Sequence, residues 1–164
     1  MNQFYSKPVP GGARLVKQLS GDERLKILAN HLEVLEPETK DFKFDIGRWY
    51  RKVGDCATVA CAAGYAALIP ELQEQGFNLD HSTGSSCYDA VPVYNGYNLY
   101  GPFYNISKFF EISMRDAENI FSQQGYEREC EVTPQMVSKK INKFLFRPRW
   151  WRALVNQILD ELNF

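Results

Sequence analysis

Histidine is scarce in this chain, with His31 and His81 the only two, and the four cysteines (Cys56, Cys61, Cys87 and Cys130) form no C-x-x-C pair. The ligand spacing that marks a structural zinc site is therefore missing, and a metal site would have to be assembled in space from Cys56, His81, Cys87 and His31. No glycine-rich phosphate loop occurs, because Gly11-Gly12 and Gly84-Ser85-Ser86 lack the lysine and helix context such a loop needs. Neither sign of charge dominates: 19 Lys+Arg stand against 20 Asp+Glu, a formal net charge of −1. That balance argues against modes driven by the whole protein's field, such as coating nucleic acid or adhering to an anionic membrane. No apolar run approaches the roughly 18 residues of a membrane span. Met1–Gly12 also lacks the basic-then-apolar order of a signal peptide, so a cytoplasmic protein with reduced thiols and no membrane partner is expected.

What is present suits one ordinary domain. The 164 residues, 45% of them apolar, can bury roughly 70% of the unfolded chain's surface without disulfides or a metal. Residues 1–19, with Pro8 and Pro10, read as an extended lead-in; residues 20–146 read as the globular domain, and residues 147–164 as an amphipathic helix that docks on the core or self-associates. Ser20-Gly21-Asp22-Glu23 has the form of a capping box, followed by Leu25, Leu28, Leu32 and Leu35 at helical spacing, with His31 at the boundary of that face. An alanine-rich stretch, Ala57 to Leu68, predicts a central helix whose small side chains admit a neighbouring backbone; it kinks at Pro70, continues through Glu71–Gln75 and ends at Gly76, where a left-handed residue is expected. Asn95-Gly96 between Val91–Tyr94 and Tyr97–Tyr100 predicts a two-residue hairpin pairing Tyr94 with Tyr97.

Three helical segments follow: a short one over Ile106–Ile112, one capped by Ser113, and one capped by Thr133 with Pro134 at its first position. The last begins near Pro148. There Trp151, Leu154, Val155, Ile158, Leu159 and Leu162 keep helical spacing, and Trp150 falls off that stripe. The fold expected is α+β and mainly helical, with about five or six helices around the alanine-rich one and one small β-hairpin. No repeat or low-complexity segment is evident.

Chemistry can be sought first at Cys56. At the amino end of a buried helix its thiolate would be stabilised by the dipole and free amides, as a cysteine nucleophile requires. His81 is the candidate base, with Asp80 or Asp89 to orient it. The competing reading is a small cysteine packed beside alanines. On such a helix a five-residue step turns Cys61 about 140° away, so the two thiols do not converge.

The text Phe44-Asp45-Ile46-Gly47-Arg48-Trp49, followed by Cys56-Ala57-Thr58-Val59-Ala60-Cys61-Ala62-Ala63-Gly64-Tyr65, is the most distinctive in the chain. It resembles a largely uncharacterised family of small bacteriophage and bacterial proteins with the signature F-D-[MI]-x-x-W and C-[GA]-T-x-x-C-x-x-G-[WY]. The resemblance extends over about residues 22–146, through Phe109–Ser113, Ala117–Phe121 and Thr133-Pro134. Ala57 stands where the family has glycine, Tyr65 where tryptophan is commoner, and the helix after Pro148 is additional. The resemblance implies a protein acting in a bacterial cytoplasm, and interference with a host process such as a defence system.

Two surfaces offer binding chemistry. Lys139, Lys140, Lys143, Arg147, Arg149 and Arg152 fall within 14 residues that hold no acid and that include Trp150 and Trp151. Basic and aromatic side chains together can track phosphates and stack on bases, so nucleic-acid binding through residues 139–152 is one reading, with a solvated helix face as its plain alternative. Tyr88, Tyr94, Tyr97, Tyr100, Phe103 and Tyr104, interleaved with asparagines and glycines, have the composition of adaptable binding loops, or else cover a small core. The reading favoured is a non-enzymatic protein that binds a protein partner in a bacterial host through Tyr94, Tyr97, Tyr100, Arg147, Arg149, Trp150 and Arg152. A cysteine hydrolase or transferase using Cys56 and His81 is the alternative, and no cofactor is implied.

Overall fold

A computed structural model describes residues 17–53, 57–82, 90–96, 100–127 and 131–161. The first helix, α1 (Gly21–Val34), starts at the expected capping box: Glu23 N–H donates to the Ser20 hydroxyl at 3.3 Å, and Ser20 N–H donates to the Glu23 carboxylate at 2.7 Å. Leu25, Leu28, Ala29 and Leu32 are fully buried along its inner side.

Two small sheets follow. β1 (Phe42–Phe44), β2 (Tyr50–Val53) and β3 (Ala57–Ala60) form a sheet in the order β1-β3-β2, with β1 parallel and β2 antiparallel to the central β3. β4 (Phe77–Asp80) and β5 (Val91–Tyr94) make a two-stranded antiparallel sheet, and a bridge from Tyr50 to Ala90 ties it to the first. Between the sheets run two short helices, α2 (Ala62–Ala66) and α3 (Pro70–Gln73).

The expected helix from Ala57 to Leu68 is thus corrected to a strand followed by a single helical turn and a half. Cys61, with ψ 179°, ends the strand and caps α2. Thr58 and Val59 are β-branched, and as residues of a central strand they gain ladder hydrogen bonds on both sides; this outweighs the weak helix preference of the alanines around them. The small side chains still serve the purpose read from them. A Cβ on Gly64 would stand 1.5 Å from the Trp49 carbonyl oxygen, so only glycine admits that strand end. Pro70 starts a separate helix rather than kinking one, and Gly76 takes φ +90° as expected.

The Asn95-Gly96 turn has positive φ at both residues, 52° and 74°, as a tight hairpin turn needs. β5, however, finds its partner upstream in β4; the expected pairing of Tyr94 with Tyr97 lies outside the described residues. The remaining helices are α4 (Pro102–Phe110), α5 (Met114–Phe121), α6 (Pro134–Phe146) and α7 (Arg149–Glu161), with Ser113 and Thr133 capping α5 and α6 as read from the sequence. An α+β fold with seven helices among the described residues results.

The core lies where α1, α4, α5 and α6 meet the β4–β5 pair. Phe77 stacks on Phe109 with centroids 4.3 Å apart, and Phe110 stacks on Phe121 at 5.5 Å. α6 packs along α1 through Val137 and Ile141, and the buried Ser138 hydroxyl donates to the Ala29 carbonyl at 2.9 Å. Gln135 closes the far end of α1 by donating to the Leu35 carbonyl at 2.7 Å. None of the described helices is long and apolar enough to cross a membrane.

Candidate interaction surface

Cys56 lies outside the described residues. The residues after it are strand, so the helix dipole invoked for its thiolate is not there. The cysteine that does cap a helix is Cys61, fully buried, whose Sγ accepts from Gly64 N–H at 3.4 Å. Burial pushes its thiol up to about 11, against the hydrogen bonds from backbone amides that pull the other way. Cys61 is therefore a protonated packing residue at neutral pH. His81 is exposed and meets the edge of the Tyr50 ring at 5.8 Å. Among the described residues no three His, Cys, Asp or Glu side chains gather where they can hold a metal ion.

The tyrosine surface is divided. Tyr94 is half-buried, its ring edge-on to Phe109 at 5.3 Å, so it belongs to the rim of the core. Tyr100 is 71% exposed and lies 4.8 Å from the Tyr104 ring. Tyr97 is outside the described residues.

The basic segment is divided as well. Lys139, Lys143 and Arg147 are exposed. Lys140 instead donates to the Gly125 carbonyl and sits over the Tyr126 ring at 4.2 Å, which holds the short turn Gln123–Gly125 against α6. Its ammonium pKa is lowered, first by burial and then by the nearby Lys143. Arg152 makes a bidentate pair with Asp22, at 3.0 and 2.9 Å, and lies over the Phe144 ring at 4.5 Å. It fastens α7 to the start of α1 and is 89% covered as a side chain, with 11% exposed. Of Arg149 only the backbone, the first residue of α7, is described.

The α6–α7 end also presents large apolar side chains outward. Phe146 is 91% exposed and Trp150 is 66% exposed; Trp151, Leu154 and Ile158 are also exposed. Trp151, Leu154 and Ile158 stand at i, i+3 and i+7 and so share one side of α7. Of the stripe read from the sequence, these three members face solvent and Val155 is half-buried, while the side chains of Leu159 and Leu162 lie outside the described residues. The two indoles meet edge to face at 5.7 Å, which gives this end a paired aromatic ridge. Phe146 was missed by sequence reasoning, because the i, i+3, i+4 pattern of α6 places it beside Phe144 and Leu145 without saying which of the three turns outward. Compared with protein-family models, with curated proteins and with solved structures, the chain gives no match.

Proposed function

We propose that the chain is a non-enzymatic binding protein that seats the exposed side of α7, with Phe146, in an acid-rimmed apolar groove of a protein partner in a bacterial host, and by occupying that groove blocks it. The single observation that carries this reading is the outward set of Phe146, Trp150, Trp151, Leu154 and Ile158. Large apolar side chains clustered at one end of a small protein mark an interaction site. Their spacing is that of a helix laid into a groove, and Trp is among the residues that dominate binding energy. The exposed Lys143 and Arg147 beside the ridge ask for acidic side chains on the rim of the partner. The bacterial host follows from the family resemblance.

The test compares capture from a nuclease-treated bacterial lysate by the wild type and by Trp150→Ala and Ile158→Asp. Both substitutions are on the exposed surface and should leave the melting temperature unchanged. Each should cost roughly 2 kcal/mol or more of affinity, so that a protein held by the wild type is lost by both variants. Retention that disappears with nuclease treatment alone points to nucleic acid and contradicts the reading. Equal retention by all three proteins contradicts the placement of the surface.

A further inference from the structure

On the outward face of the three-stranded sheet the register sets Lys43, Val59 and Arg51 in one row across β1, β3 and β2. This row floors an open groove of about 550 Å³, which is within the range of small-ligand sites. Asp45, Arg48, Lys52 and Val53 complete its lining. Cross-strand neighbours in sheets are stabilised by opposite charge. Here two cations flank a valine, and Arg51 has no ion pair among the described residues.

Among the described lining residues the one carboxylate, Asp45, is already in use. Asp45 accepts from Gly47 N–H at 2.9 Å with one oxygen and from Arg48 Nε at 3.0 Å with the other. This fixes the Arg48 guanidinium by its Nε side and leaves its two terminal nitrogens without a partner among the described residues. Among the described residues Lys43 is held by an exposed ion pair to Glu38 at 3.6 Å, a contact of little strength in water. In a chain whose net charge is −1, this is a local cationic site rather than a share of a general positive field.

We propose that this groove binds a nucleoside phosphate, with its phosphates on Arg48, Arg51 and Lys43 across Val59 and its flat base against Val53. The planar guanidinium forks suit phosphate oxygens, and a pre-oriented Arg48 gives up little freedom on binding. A purely inorganic anion would leave Val53 unused, so the ligand carries both an anionic and an apolar, planar part. The same chemistry is offered by a free nucleotide and by a residue of a single strand. The site is separate from the α7 ridge and does not depend on it.

Titration of the full chain with ATP, inorganic triphosphate and a short single-stranded oligothymidylate distinguishes these sources. At low salt ATP should bind more tightly than triphosphate, and added salt should weaken both. Arg51→Glu should lower the affinity for ATP by about tenfold or more, while Lys139→Glu on α6 should not. Should Arg51→Glu unfold, as read by circular dichroism, Arg48→Gln and Arg51→Gln carry the same expectation. Oligothymidylate binding tighter than ATP assigns the site to single-stranded nucleic acid, and the reverse assigns it to free nucleotide. Absence of binding by ATP and oligothymidylate, triphosphate binding as tightly as ATP, or full affinity in the folded arginine variants overturns the proposal.

Discussion

Glu23 has a carboxyl held down at about 2, against an ordinary 4.5, because the Ser20 backbone N–H, the Lys17 side chain and the Ser20 hydroxyl all favour its charged form. A depressed folded-state pKa contributes stability that is complete above the unfolded value and is lost as the pH falls towards the folded one. Thermal melts should therefore show the wild type losing stability more steeply than Glu23→Gln between about pH 4.5 and pH 2. Parallel curves would show that the capping box does not titrate with folding. This cap was legible because it is a local motif, four residues long and closed on itself. Arg24, one residue on, was not: its guanidinium is buried against the Phe109 ring at 4.7 Å and donates to the Phe109 carbonyl at 2.6 Å. The cation thus satisfies an open carbonyl in the last turn of α4, a role set by a residue 85 positions away.

At the scale of elements, periodicity told helices from loops and failed where small residues carry no period. α5 and α6 were marked by caps and apolar spacing, and α7 by apolar spacing, and all three helices are present in the fold. β3 was misread, since Ala57–Ala60 fits a helix as well as a strand until its neighbours β1 and β2 are in place. β1, β2 and β4 were not read at all, being three or four residues long. The direction faced by the α7 stripe was equally beyond local reading, because it is set by the Arg152–Asp22 pair, which spans 130 positions. Arg152→Ala should remove this fastening at a cost of about 1–3 kcal/mol, the range for hydrogen bonds to charged groups and for buried groups left unmatched. Amide exchange across residues 149–158 should then accelerate while α1 and α6 stay protected. Unchanged exchange in α7 would show that other contacts hold it.

For the molecule as a whole, the fold class followed from composition and pattern, and the candidate surfaces were legible only as residue types. The sequence marked Trp150 and the α7 stripe; it could not separate Arg147, which is exposed, from Arg152 and Lys140, which are bound within the fold. Nor could it bring Lys43, Arg48 and Arg51 together, since their proximity depends on the strand order β1-β3-β2. The exposed aromatic ridge of α7 is proposed to be covered by a protein partner. The most direct measurement is photo-crosslinking in a nuclease-treated bacterial lysate. One probe replaces Ile158 on the ridge and a control probe replaces Lys26, which is exposed on α1. The account predicts one heterologous protein adduct at position 158 and none at position 26. An adduct only with a second copy of this chain, or the same adducts from both positions, would contradict it.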